Sequence, residues 1–316
     1  MTSMIPNEPS PRRERRSGPR TVTPLAPPTL EGTGALKLPF DQATLHATVR
    51  AALQEDGAFH DLTTIATVVS DRRARGTLVV RRDGVIAGIP VALETFRVLD
   101  SKISIRVDAE DGTRVSAGST LLYVTGHARA LLSAERVALN YLQRLSGIAT
   151  MTAKFVEAID GTAAKILDTR KTTPGWRLLE KYAVRAGGGS NHRVDLASAI
   201  LIKDNHLAAL DGDVALAVRR ARQLAPPGMQ VEIECETLEQ VDQAIAANVD
   251  VILLDNMSVA DMRVAVGRIG GRALVEASGG VTLANVRRIA ETGVDWISVG
   301  ALTHSVEALD MALELE

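Results

Sequence analysis

The chain has 316 residues, 46% of them hydrophobic and 23% charged, with a formal net charge of −2. This balance is typical of a globular protein with enough chain for one large domain or two ordinary ones. The single cysteine excludes an intrachain disulfide, and no apolar run approaches the roughly eighteen residues of a membrane span. A net charge so near zero creates no field that would attract nucleic acid or anionic lipid. We therefore expect a cytoplasmic protein that binds neither nucleic acid nor membrane, in which any anion site is built locally.

Residues 1–36 differ in composition from the rest of the chain. Five arginines lie among seven prolines there, with almost no apolar periodicity. Such a segment buries too little surface to offset its ordering entropy, so the composition predicts a disordered tail. A mitochondrial presequence is the alternative, but the prolines together with Glu8 and Glu14 disfavour its amphipathic helix.

The segment from about residue 37 to residue 150 has a mixed pattern. Apolar spacing predicts helices over 41–55, 91–99 and 133–145, and short β-like runs at 77–80, 103–107 and 121–124. Glycines punctuate the turns between these runs. This half of the sequence is expected to form a small α+β domain.

From about Lys165 onward, short apolar strands alternate with helices. The predicted strands are 165–168, 199–202, 231–234, 251–254, 274–277 and 296–299. A helix is predicted after each strand, and the last of these helices ends the sequence. The alternation implies parallel pairing, because each crossover helix returns the chain to the same edge of the sheet. An open Rossmann-type sheet and a closed or nearly closed α/β barrel both satisfy this pattern, although no G-x-G-x-x-G opens a helix after any strand.

Polar or small residues follow these strands at equivalent positions. They are Arg170, Lys171, Lys203, Glu234, Asp255, Ser278 and Gly300. In an α/β barrel the C-terminal ends of all strands open on one face, and active sites form there. One such residue alone is consistent with a solvated loop, but the whole series favours a site.

The charges near these strand ends indicate a polyanionic ligand. The cations are Arg170, Lys171, Arg193 and Lys203, and His192 adds a donor whose charge changes with protonation. The acids that face them are Glu234 and Asp255. Arginine binds carboxylates and phosphates through two parallel hydrogen bonds, and carboxylate oxygens suit Mg²⁺ bridged to substrate phosphates. Simple salt bridges between the acids and the cations are the alternative. Glycines at 187–189 and 279–280 would let backbone N–H groups approach an anion.

Seven stretches of the sequence resemble one known family. They are ERVALNYLQRLSGIAT (135–150), DTRKTTPGWR (168–177), AGGGSNHR (186–193), LIKDNH (201–206), LLDN (253–256), EASGG (276–280) and ISVGALTHS (297–305). In this order they closely resemble the quinolinate phosphoribosyltransferases. The resemblance runs from about residue 40 to the end of the sequence, and the Arg/Pro segment lies outside it.

The resemblance implies a fold and an assembly. The fold is α/β, with an N-terminal α/β sandwich domain over 37–150 and a C-terminal open, incomplete α/β barrel of parallel strands over 151–316. The assembly is a homodimer with shared active sites, in which the N-terminal domain of one subunit covers the barrel mouth of the other; a higher oligomer is left open. Where the family often has N-H-R-x-G-L-x-D, this chain has NHRVDLAS, so Asp195 and Ser198 replace a glycine and an aspartate.

The resemblance also implies the reaction and its residues. Quinolinate is joined to phosphoribosyl pyrophosphate (PRPP) with loss of pyrophosphate and CO₂, giving nicotinate mononucleotide for NAD biosynthesis, which is a pentosyl-transferring glycosyltransferase reaction. The implied quinolinate-binding residues are Arg136, Thr169, Arg170, His192, Arg193 and Lys203. The implied PRPP-binding residues are Lys171, Lys203, Glu234, Asp255, Ser278, Gly279, Gly280, Val299, Gly300 and Ala301. Mg²⁺ is the implied cofactor, held by Glu234 and Asp255 directly or through water.

Some interpretations stay open at this point. Arg136 lies on the predicted helix 133–145, outside the barrel; the resemblance implies that it reaches the neighbouring subunit's site, and a surface arginine is the alternative. Cys235 lies between two glutamates and is expected to be a buried, inert thiol.

The rival functions are a related pyrophosphorylase acting on a monoacid such as nicotinate, and a barrel that only binds a phosphate ligand. The number of cations favours a diacid, because a monoacid would leave buried cations unpaired.

Overall fold

The computed structural model describes residues 36–316, so the tail expected over 1–36 lies outside the described residues except for Leu36. The first half of the described chain contains α1 (Gln42–Glu55), α2 (Leu62–Thr67), β1 (Arg73–Val80), β2 (Gly84–Val85), α3 (Ile89–Leu99), β3 (Ser104–Val107), β4 (Arg114–Val115), β5 (Thr120–His127) and α4 (Ala128–Ala158). The predicted helices and strands of this half are present, and α2, β2 and β4 are additions to them.

The second half alternates strands and helices as the sequence predicts. Its elements are β6 (Lys165–Leu167), α5 (Arg177–Ala186), β7 (Ile200–Ile202), α6 (Asp204–Ala208), α7 (Val214–Leu224), β8 (Val231–Cys235), α8 (Leu238–Ala246), β9 (Val251–Asp255), α9 (Val259–Ile269), β10 (Leu274–Ser278), α10 (Val286–Ala290), β11 (Trp296–Ser298), α11 (Ala301–His304) and β12 (Met311–Leu315).

Strands β6 to β11 form an open α/β barrel. They make one parallel sheet in the order β6-β11-β10-β9-β8-β7, so that β6 and β7 are its two edges although they are consecutive along the chain. Leu167, Val251, Leu274 and Trp296, one from each of the four successive strands β6, β9, β10 and β11, form one buried cluster. The segment that leads into β7 bridges to β6 at Leu167 and Ser190, and His192 of the same segment lies 3.2 Å from Glu232 of β8. The two edges of the sheet therefore approach each other around an interior, and this excludes the flat Rossmann-type alternative.

The open seam of the barrel lies between β6 and β7. The segment before β7 contacts β6 through a single parallel bridge between Leu167 and Ser190. The Ser190 N–H donates to Ile166 O at 2.8 Å, and the Asp168 N–H donates to Ser190 O at 3.2 Å. A loop thus takes the place of the missing strand pairing at this seam.

Successive side chains of the barrel strands point alternately to the barrel interior and to the surrounding helices. Ile233 and Cys235 of β8 belong to the large core cluster that the surrounding helices share. Successive side chains of a strand point to opposite faces, so Glu232 and Glu234 face the interior. The prediction of a buried Cys235 is confirmed, since its side chain is fully buried.

The N-terminal domain is built on an antiparallel sheet in the order β12-β1-β5-β3. Helices α3 and α4 pack on it, and Phe96, Leu122 and Leu142 are fully buried in the core between them. Strand β12 reaches this sheet from the far end of the described chain.

The prediction of a helix at the end of the sequence is wrong. Helix α11 has only four residues, and Met311–Leu315 pairs with β1 as an edge strand over five residue pairs. The sequence of this segment, MALEL, is rich in helix formers. Pairing with β1 and burial of Leu309 and Met311 override that propensity.

Helix α4 is longer than predicted and joins the two domains. It has 31 residues and continues through Gly147. A Cβ atom at Gly147 would lie 2.3 Å from the Glu307 carbonyl oxygen, so glycine lets the segment before β12 pack directly on the helix. Among residues 36–316, no helix combines the length and hydrophobicity that crossing a bilayer requires.

Candidate active site

The predicted site residues gather at the C-terminal ends of the barrel strands. In the structure these are Thr169–Lys171 after β6, Lys203 after β7, Glu234 and Asp255 at the ends of β8 and β9, Ser278–Gly280 at the end of β10, and Val299–Ala301 after β11. Because the strands are parallel, these ends open on one face of the barrel.

Two arginines at this face, Arg170 and Arg193, form no ion pair within residues 36–316. Arg193 is 6% exposed, and its Nη1 atom donates to Ala199 O at 3.1 Å. Burial and the nearby Arg170 lower the pKa of Arg193. The Nε atom of Arg170 is buried and has no hydrogen-bond partner among the described residues. Two neighbouring cations with an unsatisfied donor form a pocket that an anionic ligand would neutralise.

His192 lies below these arginines, in the barrel interior. Its Nδ1 atom accepts a hydrogen bond from the Arg193 N–H at 2.8 Å. Its Nε2 atom lies 3.2 Å from Glu232 and 3.4 Å from Glu276. Burial alone lowers the pKa of His192, but the two carboxylates outweigh it and raise the pKa. Both ring nitrogens therefore have protein partners, and whether His192 also binds quinolinate stays a prediction.

The two glutamates that face His192 are unusual because each is buried inside the barrel. Glu232 is 5% exposed and Glu276 is fully buried. Glu276 accepts a hydrogen bond from the Ser298 hydroxyl at 2.6 Å. Burial and the neighbouring Glu276 raise the pKa of Glu232 to about 7. Both acids pair with His192, and neither forms an ion pair with Arg170 or Arg193.

The acids at the strand tips have different partners. Glu234 is 8% exposed and forms an ion pair with Lys203. Asp255 is half-buried and accepts a hydrogen bond from the side-chain amide of Asn256 at 2.7 Å. The alternative of salt bridging therefore holds for Glu234, whereas Asp255 has no cation partner among residues 36–316.

Two glycine-containing turns beside these acids present free backbone donors. Gly279 and Gly280 have φ angles of +88° and +60°. Within the described chain, the N–H groups of Gly279, Gly280, Gly300 and Ala301 donate no hydrogen bond. Lys171 approaches Gly300 closely, since its Cδ atom would lie 3.1 Å from a Cβ placed there. A cation above free N–H groups is an arrangement suited to a phosphate.

The glycines at 187–189 do not serve the anion-binding purpose expected of them. Their N–H groups donate to Ala183, Arg185 and Val184 carbonyls and so finish α5. A Cβ at Gly187 would lie 2.3 Å from the Ala149 carbonyl oxygen. Gly187 and Gly189 allow close packing against α4, Gly188 has a φ of +86°, and the expectation of a second anion loop is wrong.

Arg136 lies outside this group of residues. It is exposed on α4 and forms no ion pair within residues 36–316. Ser133, one turn earlier on the helix, donates to Asp61 at 3.0 Å beside α2. An exposed apolar patch covers α2 and its flanks, formed by Phe59, Leu62, Ile65 and Val69. Such a patch beside an unpaired arginine is typical of a protein–protein interface.

Sequence reasoning missed a buried network beside the site. Asp168 and Lys181 are fully buried and form an ion pair, and Asn191 is 1% exposed. Burial raises the pKa of Asp168 and lowers that of Lys181, and their mutual attraction opposes both shifts. Asp168 and Asn191 lie within stretches that resemble the family, but nothing in the sequence alone indicated their partner on α5.

Comparisons with known proteins assign both halves of this chain to one family. Residues 61–146 match the N-terminal domain, and residues 148–314 the C-terminal domain, of the family described as quinolinate phosphoribosyl transferase. The nicotinate-nucleotide pyrophosphorylase [carboxylating] of Mycobacterium leprae is 50% identical over 284 residues, which cover 87% of this chain and 98% of the relative. A probable nicotinate-nucleotide pyrophosphorylase [carboxylating] of Bacillus subtilis is 44% identical, with 83% of this chain and 90% of the relative covered.

Solved structures give the same result. The crystal structure of NadC from Streptococcus pyogenes superimposes with a TM-score of 0.85 at 41% identity, covering 89% of this chain and 99% of that one. The nicotinate-nucleotide pyrophosphorylase of Francisella tularensis superimposes with a TM-score of 0.82 at 39% identity, covering 88% and 98%. The chain belongs to the quinolinate phosphoribosyltransferase family.

Proposed function

We propose that the barrel mouth of this chain joins quinolinate to PRPP and releases pyrophosphate and CO₂, giving nicotinate mononucleotide. The assignment of the site rests on Arg170 and Arg193, two neighbouring cations that form no ion pair within residues 36–316. Quinolinate has two adjacent carboxylates, so it can neutralise both guanidinium groups at once. A monoacid such as nicotinate would leave one of them unpaired, which costs several kcal/mol when the cation is buried.

The quinolinate pocket is assigned to the β6 side of the mouth. Arg170 and Arg193 bind the two carboxylates, with Thr169 and Lys203 at its edges. His192 forms the lower wall, because its Nε2 atom is directed at Glu232 and not at the mouth. This arrangement holds the ring in one orientation and keeps its nitrogen accessible to the sugar.

The PRPP pocket is assigned to the β9–β11 side of the mouth. The turns Ser278–Gly280 and Val299–Ala301 are proposed to hold the 5′-phosphate through the free N–H groups of Gly279, Gly280, Gly300 and Ala301, with Lys171 as its cation. Glu234 and Asp255 are proposed to hold the ribose hydroxyls and Mg²⁺. The donor set fits this ion, because one or two carboxylates supplemented by water and substrate phosphate are its usual ligands. Bound Mg²⁺ would supply charge neutralisation of the departing pyrophosphate.

The side chains promote the replacement of pyrophosphate by quinolinate because they orient the reactants and stabilise the charges that develop. The sugar develops positive charge at its anomeric carbon as pyrophosphate leaves, and the carboxylates of Glu234 and Asp255 stabilise that charge. The quinolinate nitrogen, placed by the two arginines that bind the carboxylates, forms the new bond to the anomeric carbon. Its positive charge then stabilises the carbanion left when the adjacent carboxylate departs as CO₂, and that carbon takes up a proton. No side chain is assigned as a covalent nucleophile.

A turnover assay tests this function directly. Purified protein is incubated with PRPP, Mg²⁺ and quinolinate, and nicotinate is run alongside as the rival substrate. Nicotinate mononucleotide formed with CO₂ release from quinolinate alone is the expected result. Turnover of nicotinate instead would favour the related pyrophosphorylase, and binding of PRPP without turnover of either acid would favour a phosphate-binding barrel. The expectation that the reaction takes place in the cytoplasm stays a prediction.

The homodimer is also proposed, with Arg136 completing the quinolinate pocket of the other subunit. Arg136 lies on the N-terminal side of the chain, exposed beside the apolar patch of α2. That patch and the arginine would face the barrel mouth of a second copy. A dimer of this kind brings one further cation to a dianion, and a larger oligomer stays open.

Mixed dimers test the position of Arg136. Arg136→Ala and Lys203→Ala should each be nearly inactive as homodimers, one lacking the donated arginine and the other a barrel cation. In a heterodimer one site carries both changes and the other carries neither, so subunit exchange should restore activity. An inactive mixture, with exchange confirmed by mass spectrometry, would show that Arg136 serves its own subunit or the fold.

A further inference from the structure

The open seam of the barrel presents a problem for the quinolinate pocket. Arg170 follows β6 on one side of the seam, and Arg193 precedes β7 on the other. These two strands do not pair, and a single bridge between Leu167 and Ser190 joins their neighbourhoods. The two arginines also repel each other, because Arg170 disfavours the charged form of Arg193. Something other than a strand ladder must hold them at the spacing of two carboxylates.

A buried network crosses the seam at this point. Asp168, two residues before Arg170, accepts a hydrogen bond from the backbone N–H of His192 at 2.9 Å. Its other carboxylate oxygen accepts from the side-chain amide of Asn191 at 2.5 Å. The Asp168 carboxylate therefore connects the β6 side of the pocket to the loop before β7.

Lys181 of α5 closes this network. Its ammonium group is paired with Asp168 and also donates to the His192 carbonyl oxygen at 2.9 Å. The amide of Asn191 donates to the Lys181 carbonyl oxygen at 2.9 Å. Strand β6, helix α5 and the loop before β7 thus meet at one buried ammonium group.

Stability alone is a weak explanation for such a group. Removing two charges from water carries a large desolvation cost, and well-packed apolar residues of similar volume often stabilise a protein as well as a buried ion pair does. What apolar side chains cannot do is fix three backbone segments in direction and distance. Hydrogen bonds to charged groups provide that geometry.

We propose that Lys181, through Asp168 and the backbone of His192, is a positioning residue that sets the spacing of Arg170 and Arg193 for a dicarboxylate. The inference rests on the proposed function and names a residue that touches neither substrate. It assigns Lys181 to the quinolinate half of the site, because the Ser278–Gly280 and Val299–Ala301 turns are not part of the network.

The test is Lys181→Met, which keeps the length of the side chain and removes its charge and donors. We expect the KM for quinolinate to rise about tenfold to a hundredfold, as for other misplacements of binding groups by about 1 Å. The KM for PRPP should stay within about twofold of the starting protein, since its binding turns are outside the network. Equilibrium binding of phthalate, a benzene ring with the same two adjacent carboxylates, should weaken in parallel with no turnover required.

Glu94→Gln is the matched control for loss of a buried charge. Glu94 is 5% exposed in the N-terminal domain and accepts hydrogen bonds from Gln42 at 2.9 Å and His46 at 2.8 Å. This variant should lower the melting temperature and leave both KM values unchanged. Kinetics are measured well below the melting temperatures of all variants.

Asn191→Ala is a milder second variant. It tests the positioning role if Lys181→Met does not fold. It removes one link and leaves no charge unpaired, so we expect a smaller rise in the quinolinate KM, about threefold or more, again without effect on PRPP. If folded variants keep the starting quinolinate KM, or if both KM values rise equally, the positioning role is refuted. A starting protein that turns over no quinolinate would refute the proposed function instead, so the two failures are distinguishable.

Discussion

Replacing Gly279 by alanine should weaken both the fold and the PRPP site, for a reason visible in the turn after β10. A Cβ atom there would lie 2.2 Å from the Asn256 side-chain oxygen and 2.8 Å from the Asn256 backbone nitrogen. The side chain could rotate away, but that nitrogen donates to Ser278 O at 2.9 Å and is held in place. The new methyl group therefore has to displace backbone.

The cost can be estimated from the two separate terms. Placing an L-residue at the φ of +88° costs about 1–2 kcal/mol. Overpacking against fixed backbone adds about 1–3 kcal/mol. Gly280→Ala is the control, because Gly280 also has a positive φ, +60°, but nothing lies within 4 Å of its Cβ position. It should carry the first cost without the second.

Thermal unfolding and PRPP kinetics measure the difference. The second cost should place the melting temperature of Gly279→Ala roughly 2–10 °C below that of Gly280→Ala. Displacement of Asn256 removes the 2.7 Å hydrogen bond to Asp255, so the KM for PRPP should rise more in Gly279→Ala. Equal melting temperatures and equal KM values in the two variants would refute the steric argument.

Four further outcomes are expected. Glu234→Ala and Asp255→Ala should each reduce Mg²⁺-dependent turnover far more than phthalate binding measured by calorimetry; the reverse ranking would contradict their assignment to PRPP. Ending the chain after residue 308 should cost about 3–6 kcal/mol, because it removes Leu309 and Met311 from the core, and an unchanged urea midpoint would argue against that. Burial and the neighbouring Glu234 raise the pKa of Cys235 to about 12, so the thiolate is absent at pH 8 and a disulfide reagent should react only on unfolding; rapid labelling of the native protein would contradict this. Removing residues 1–36 should leave turnover and melting temperature unchanged, and a large fall in either would show that the segment contributes to the fold.

The strand and helix order of the barrel was predictable because each strand is a short apolar run that pairs in parallel. The rim residues followed from the same reasoning, since the tips of parallel strands share one face. The alternation of strands and helices could not by itself decide between barrel and flat sheet, and the barrel was expected only from the resemblance to the family. The pattern leaves this open because curvature depends on contacts between distant segments, such as the bridge between Leu167 and Ser190 across the seam.

Other features depended on contacts between distant segments. Met311, Leu313 and Leu315 alternate as in a strand, but the helix propensity of the same residues points the other way, and only β1 resolves the conflict. Glu232 lies two residues before Glu234 and therefore on the same face of β8, so period-two reasoning could have found it. Lys181 gave no signal, because an isolated lysine in a helix is ordinarily a solvated one.

The N-terminal domain cannot complete its sheet until β12, at the other end of the described chain, has been synthesised. This strand is synthesised after every strand of the barrel, yet it covers the edge of β1, which belongs to the domain made first. Until it arrives, β1 presents a row of unpaired backbone groups, and such an edge readily pairs with other chains. An N-terminal fragment expressed by itself would keep that edge open. The two halves of this protein therefore cannot be exchanged between relatives as separate modules unless the segment bearing β12 travels with the first.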